Sequence, residues 1–180
     1  GPVALKEVLA ALPADFPVPV VVVQHMPPVF TKAFADRLNS VCAVRVKEAA
    51  NGDPLLPGTV LVAPGALHLT VSRAGGAPRV AVEFGEPVSG HRPSVDVLIR
   101  SVADAYGARA LGIIMTGMGR DGADALRELR RRGGRVLAQD EDSSVIYGMN
   151  REVIQNGDAD EVLPLERIGP RMDALARGVL

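Results

Sequence analysis

The stretch Ala110–Arg132, ALGIIMTGMGRDGADALRELRRR, decides the fold of this chain. It starts with an apolar run typical of a strand buried on both faces and ends with an amphipathic helical pattern. The turn between them is rich in glycine and contains Asp121. A strand, a tight turn and a helix in this order predict a crossover unit of a parallel α/β sheet, and ligands bind at such junctions.

The turn itself allows more than one function. Gly117, Gly119 and Gly122 spell G-x-G-x-x-G, the spacing of a dinucleotide-binding turn, and Asp140 lies about where an acid for a ribose hydroxyl is expected. Against this, the negative charge of Asp121 would repel a phosphate at the same helix N-terminus, whereas the helix dipole favours a lone carboxylate there. A third interpretation makes Asp121 a simple helix cap and the glycines simple turn residues.

Length and composition limit the function classes. With 180 residues, 47% of them hydrophobic, we expect one domain spanning residues 1–180. The net charge of −1 and the absence of tryptophan argue against a nucleic-acid or anionic-lipid surface. No apolar run approaches the roughly 18 residues of a membrane span, and no export signal is visible. The single cysteine, Cys42, excludes an internal disulfide, so we expect a cytoplasmic protein.

Apolar runs rich in β-branched residues alternate with helical patterns along the chain. The predicted helices cover residues 2–12, 28–41, 93–106, 122–132, 148–156 and 165–178, and the predicted strands cover 19–24, 43–47, 110–115, 135–139 and 160–163. This alternation predicts an α/β fold, a doubly wound and mostly parallel sheet with helices on both faces. Three short runs near 58–84, TVLVAP, HLTVSR and RVAVEF, predict a small antiparallel excursion. No strand precedes the first helix, so we expect the chain to begin inside a βα unit.

A second junction, VVVQHMPP, places His25 directly after a buried strand. All strands of a parallel sheet end at one edge, so His25 and Asp121 can meet there. A carboxylate that holds one imidazole nitrogen leaves the other nitrogen to take a proton from a nucleophile, as in hydrolytic triads. The residues considered so far include no such nucleophile.

Other polar residues are weaker candidates. His68 falls in the predicted antiparallel excursion and His91 in a loop before a helix, while Cys42 reads as a core thiol. A metal site is conceivable from four residues: His25, His91, Asp96 and Asp121. Because no pair of them has a helical ligand spacing and no cysteine assists, we predict no metal and no cofactor.

Five segments point to a known family. They are VVVQHMPPVFTKAFADRLN, APGALHLTV, HRPSVDVLIRSVA, GIIMTGMGRDGADAL and AQDEDSSVIYGMNREVI. In this order they closely resemble the catalytic domain of the chemotaxis protein-glutamate methylesterase (CheB) family, with a likeness that runs from Gly1 to about Asn156. The resemblance implies hydrolysis of γ-glutamyl methyl esters on chemoreceptors, and often deamidation of receptor glutamines, by a Ser-His-Asp triad.

The family pattern implies a role for three residues of this chain. His25 matches the triad base, Asp121 the carboxylate, and the backbone N–H of Met118 a donor to the oxyanion. In the family the nucleophilic serine lies in a Gly-x-Ser-Thr-Gly-Gly turn, and Gly1 resembles the last glycine of that turn. The serines that could be considered as substitutes read instead as capping residues: Ser94, Ser143 and Ser144.

We therefore expect a catalytic domain without its nucleophile, nearly inactive as written, because losing a triad serine costs on the order of 10⁶ in turnover. The implied partners are the methylated cytoplasmic helices of chemoreceptors and an N-terminal receiver domain in the full-length protein. Two alternatives stay open: a nucleotide-binding module that uses the Gly117–Gly122 loop, and a non-catalytic receptor-docking domain.

Overall fold

The computed structural model describes residues 1–179, in which α-helices and strands alternate as follows. In chain order the elements are α1 (Pro2–Ala10), β1 (Val20–Val22), α2 (Pro28–Val41), β2 (Arg45–Glu48), β3 (Thr59–Val62), β4 (His68–Ser72), β5 (Arg79–Glu83), α3 (Val95–Tyr106), β6 (Leu111–Ile114), α4 (Ala123–Arg131), β7 (Arg135–Gln139), α5 (Met149–Gln155), β8 (Glu161–Leu163) and α6 (Leu165–Val179). Most elements lie within two or three residues of the predicted bounds.

Six strands form two parallel sheets of three strands, in the orders β1–β3–β2 and β6–β7–β8. Strands β4 and β5 pair antiparallel, with His68 opposite Glu83. The predicted α/β, mostly parallel architecture is confirmed. The antiparallel excursion is confirmed for its last two runs but wrong for the first, because β3 is the central strand of a parallel sheet. Its residues 60–62 are almost wholly buried, which requires cover on both faces.

Both faces of the sheets are covered, as the sequence predicts. Side chains alternate across a strand, so Val20 and Val22 pack with residues of α1, α2 and α6, whereas Val21 and Val23 pack with the hairpin β4–β5 and α3. Helices α4 and α5 join α3 on this second side, over β6 and β7. None of the helices described within residues 1–179 is long and apolar enough to cross a membrane.

Close packing of α4 on β6 fixes the junction that precedes Asp121. A Cβ atom at Gly112 in β6 would lie 2.5 Å from Cδ2 of Leu126 and 2.9 Å from Cδ2 of Leu129. Both leucines are fully buried in α4. The strand, turn and helix predicted for residues 110–132 therefore form as expected, with Asp121 in the turn between them.

An apolar channel of about 760 Å³ runs between β1 and β6. Strand residues 20–23 and 111–115 form its walls, and side chains of α1, α3 and α6 close it. His25 and Met118 also line this channel, so it reaches the edge of the sheets where the strands end.

Candidate active site

His25 and Asp121 meet at the carboxyl edge of the sheets. His25 follows β1 and precedes α2, while Asp121 lies between β6 and α4. The Nε2–H of His25 donates to Oδ2 of Asp121 over 2.8 Å, across 96 residues of sequence. The Asp121 side chain is fully buried, whereas 23% of the His25 side chain is exposed. The ring thus has one nitrogen held by a buried carboxylate and the other, Nδ1, available to a reacting group.

The partners of Asp121 differ from those expected. The sequence suggests that its carboxylate interacts with the N-terminus of α4, but the structure places it at the N-terminus of α3. Oδ2 accepts from the Val95 amide over 2.7 Å, and Oδ1 accepts from the Asp96 amide over 3.0 Å and from the Ser94 hydroxyl over 2.9 Å. Gly122, with a φ of 100°, turns the chain between Asp121 and α4, and the packing of α3 on α4 brings the first amides of α3 to the Asp121 carboxylate.

Asp96 of α3 in turn caps α4. Its Oδ1 accepts from the amide of Ala125, in the first turn of α4, and its Oδ2 accepts from the hydroxyl of Ser89. Thus α3 is capped by Asp121, which lies in the turn before α4, and α4 is capped by Asp96 of α3. Such caps satisfy amide groups that a helix leaves free at its start. The position of Asp121 is thus coupled to the packing of α3 on α4.

Hydrogen bonds keep Asp121 ionised despite its burial. Burial alone raises the pKa of this carboxyl, but the hydrogen bonds from His25, from two backbone amides and from Ser94 lower the pKa below its usual value. The carboxylate therefore remains negative at neutral pH. It fixes the imidazole tautomer with the proton on Nε2 and would stabilise a positive charge on the ring.

The loop after β6 presents the backbone of Met118. Both backbone groups of Gly117 are bonded, its amide to the Ile146 carbonyl over 3.0 Å and its carbonyl to the Met149 amide over 2.8 Å. Within the described residues the amide of Met118 finds no such acceptor, and its side chain is 73% exposed. The neighbouring Gly148 allows this loop to pack closely, because a Cβ there would lie 2.5 Å from the Gly117 carbonyl oxygen.

His91, a weak candidate from the sequence and one of the four residues considered for a metal, contacts His25 directly. Its ring stacks on that of His25, with 3.8 Å between centroids and 5° between planes. Burial lowers the pKa of His91, the nearby His25 lowers it further, and Asp121 acts against this. The only sequence signal is its position just before the proline and the capping Ser94 of α3, which did not indicate contact with His25.

The remaining candidates have structural partners. His68 is buried, its Nε2 lies 2.8 Å from the Glu86 carbonyl oxygen, and its Nδ1 accepts from the Ser94 amide. Ser94 also caps α3, as predicted, by accepting from the Val97 amide. Cys42 is half-buried at the end of α2, and burial raises the pKa of its thiol.

Residues 140–144 form a loop with hydrogen bonds inside it and to the start of α6, where the Ser143 hydroxyl accepts from the Leu165 amide. The hydroxyl of Ser143 donates to the Asp140 carboxylate and that of Ser144 to the Asp140 carbonyl. In the described part of the chain, no group of three or more His, Cys, Asp or Glu side chains has an arrangement that could hold a metal ion. Of the four residues considered for a metal, His25 and Asp121 form an ion pair, His91 stacks on His25, and Asp96 caps α4.

The pKa shifts of Asp121 and His91 predict how stability depends on pH. The folded state binds its Asp121 proton less readily than the unfolded chain, so this stabilisation is complete above about pH 4 and is lost as the pH falls through the lowered folded-state pKa. The lowered pKa of His91 also destabilises the fold on acidification, but at higher pH. Below about pH 6.5 the unfolded chain binds a proton at His91 more readily than the folded state does, so the free energy of unfolding decreases.

We therefore expect two successive losses of stability on acidification, measured by urea denaturation between pH 3 and 8. The amino group of Gly1, whose pKa is lowered by burial, adds to the upper loss, so His91→Phe should reduce the upper loss and leave the lower one. If the free energy of unfolding falls by the same amount between pH 7 and pH 5 in the original chain and in this variant, the assignment to His91 is contradicted.

Comparisons with known proteins show the family of this chain. A sequence model described as CheB methylesterase matches residues 1–172. The protein-glutamate methylesterase/protein-glutamine glutaminase 1 of Anaeromyxobacter dehalogenans is 56% identical over 98% of this chain and 50% of its own length. A protein of the same name from the group 3 operon of Bradyrhizobium diazoefficiens is 54% identical over 93% of this chain and 46% of its own length.

The chain thus spans about half the length of the curated relatives it matches. Among solved structures, the CheB methylesterase catalytic domain of Thermotoga maritima is similar, with a TM-score of 0.95 and 39% sequence identity. That match covers 97% of this chain and 93% of the solved one. The similarity therefore extends over nearly all of the fold described above.

Proposed function

Because this chain belongs to the CheB methylesterase family, a family of ester hydrolases, we propose that its cleft hydrolyses γ-methyl esters of glutamate on chemoreceptors and deamidates receptor glutamines. The observation that carries this proposal is the His25–Asp121 pair, with 2.8 Å between Nε2 and Oδ2, at the edge where the strands end. Residues 1–180 would form one catalytic domain.

His25 acts as general base and then as general acid. Its Nδ1 takes the proton of a serine hydroxyl while the serine oxygen attacks the ester carbonyl carbon. The tetrahedral oxyanion accepts a hydrogen bond from the Met118 amide. With an ester, the C–O bond to the leaving group breaks, His25 returns the proton and methanol departs. With glutamine, the C–N bond breaks and the proton from His25 goes to the nitrogen, so that ammonia departs.

Water completes the reaction by the same groups. His25 Nδ1 takes a proton from a water molecule that attacks the acyl-serine, and returns it to the serine oxygen as the acyl bond breaks. The product is a glutamate γ-carboxylic acid, which ionises in water. Asp121 stays ionised throughout and stabilises the imidazolium, because its hydrogen bonds favour the charged form.

The serine would be supplied by a segment that precedes Gly1 in a longer chain. Two features support this. The amino group of Gly1 donates to the carbonyl of Thr116, just after β6, so a chain that continues backwards from Gly1 enters beside the end of that strand. Among the described residues β1 pairs only with β3 and β6 only with β7, so each strand has a free edge, and the channel between them has the apolar walls typical of a buried strand.

The partners proposed for the full-length protein follow the family. The substrate segments are the methylated cytoplasmic helices of chemoreceptors, a cytoplasmic location is implied by them, and an N-terminal receiver domain would gate access. Support from this chain comes from the exposed apolar side chains of Met118, Val145 and Ile146, on two loops hydrogen-bonded to each other beside the cleft. Exposed apolar groups next to a site suit contact with another protein.

Substitution of the proposed general base, His25, tests the function. In the longer protein that carries the serine, we expect His25→Ala to lower methanol release from methylated receptor by at least about 10³-fold, because the serine loses its general base. A suitable control is Lys32→Ala in α2, which removes only an exposed ion pair with Asp36. A loss below tenfold in His25→Ala would overturn the proposal, and receptor binding without any hydrolysis would favour the docking domain instead.

A further inference from the structure

The stacking of the His91 ring on the His25 ring restricts how the His25 ring can move. A single hydrogen bond, from Nε2 to Asp121, limits but does not stop rocking of the imidazole ring about its Cβ–Cγ bond. The parallel ring of His91, 3.8 Å away, restricts this rocking by packing against one whole face. We propose that His91 is a positioning residue that holds the His25 ring so that Nδ1 faces the cleft. Its effect on catalysis rests on the function proposed above, whereas its effect on the ring does not.

His91 can do this because its own backbone is fixed. Its amide and carbonyl both pair with Val88, over 3.0 and 2.9 Å. The adjoining Ser89 hydroxyl is bonded to Asp96, and the Arg92 guanidinium donates to the Gly85 carbonyl. The loop is therefore anchored to the start of α3, which Asp121 also caps. One helix end thus places both groups that contact His25.

The turn that presents Met118 also lies near His91. Gly119 adopts a φ of 94°, and a Cβ at Gly119 would lie 4.0 Å from the His91 Nε2. The His91 ring is thus close to both His25 and this turn.

The charges of the two rings agree with a positioning role. Two imidazolium rings in face-to-face contact would repel each other, so the stack needs one ring neutral. Burial and the positive charge of a protonated His25 both lower the pKa of His91, with Asp121 acting against them. His91 can thus stay neutral and stacked while His25 carries the proton that Asp121 stabilises.

Solution NMR on residues 1–180 tests the placement without any activity. We compare the original chain with His91→Phe, which keeps a flat ring but has no nitrogen, and with His91→Ala. We expect ring-to-ring nuclear Overhauser effects and ring-current shifts of the His25 protons in the original chain and in His91→Phe. In His91→Ala we expect His25 to average over several ring orientations. An unchanged His25 ring orientation in His91→Ala would overturn the proposal.

Kinetics on the longer protein test the consequence. His91→Ala should lower kcat about 10- to 100-fold with KM within about twofold, since a misplaced base affects the chemical step. His91→Phe should restore kcat to within about threefold of the original. If His91→Phe is as slow as His91→Ala, a ring nitrogen of His91 is needed and the positioning proposal fails. If the original longer protein hydrolyses no receptor ester, the proposed function fails, and the NMR comparison still decides the placement of the ring.

Discussion

Asp121→Asn is expected to lower kcat of the longer protein by roughly 10⁴ and to destabilise residues 1–180 by roughly 3 kcal/mol. The carboxylate accepts all four of its hydrogen bonds, from His25, Ser94, Val95 and Asp96. An asparagine has one acceptor oxygen and one NH₂ donor, so in either orientation the NH₂ faces at least one group that also donates. A buried donor is then left without an acceptor.

The catalytic loss has a separate cause. Without a carboxylate beside Nε2, the imidazole proton is no longer held on that nitrogen, and Nδ1 is no longer kept free to act as base. A positive charge on His25 also loses its counter-ion. Urea denaturation measures the stability change and methanol release measures the catalytic one.

Asp124→Asn is the matched control. Asp124 lies three residues further along the chain, its side chain is 55% exposed, and it pairs with Arg120, which precedes α4. We expect a change below about 0.5 kcal/mol and an unchanged kcat. If Asp121→Asn behaved like this control, Asp121 would be neither a structural cap nor part of a triad.

The second large effect concerns the nucleophile. We expect residues 1–180 alone to hydrolyse receptor methyl esters about 10⁶-fold more slowly than the longer protein with its serine. The Ser94 hydroxyl contacts the pair, but it donates to Asp121 while accepting from the helix that it caps. Ser143 and Ser144 donate to groups of Asp140. None of these three hydroxyls is directed at Nδ1 of His25.

A serine substitution in the longer protein provides the control. Changing the serine of the Gly-x-Ser-Thr-Gly-Gly turn to alanine should reproduce the low rate of residues 1–180, because both lack the same oxygen. An ordinary enzymatic rate from purified residues 1–180, assayed by methanol release, would show that another residue serves as nucleophile.

Local patterns were sufficient to predict the junction that carries the site. The apolar run before Gly117 and the leucine spacing after Gly122 each specify one element, and the order of the elements specifies a parallel sheet. The same reasoning put His25 and Asp121 at one edge, where the structure brings them within hydrogen-bond distance. Their roles in catalysis stay a prediction.

Sequence patterns were insufficient where a contact depends on a distant neighbour. The run at Thr59–Val62 is short and apolar, which suits a hairpin as well as a central parallel strand, and only its burial between β1 and β2 distinguishes them. His91 lies in a loop with no periodic pattern, so nothing local indicates that its ring stacks on His25.

The sequence by itself determined the fold class, the strand-turn-helix at residues 110–132 and the sheet edge at which His25 and Asp121 meet. These follow from the periodicity of neighbouring residues and the order of the elements. Only the tertiary structure decided that Asp121 caps α3 and not α4, that Asp96 caps α4 in return, and that the ring of His91 stacks on that of His25. The physical reason is the same in each case. These hydrogen bonds and this stack join segments 25 or more residues apart, and their partners are chosen by the packing of whole helices.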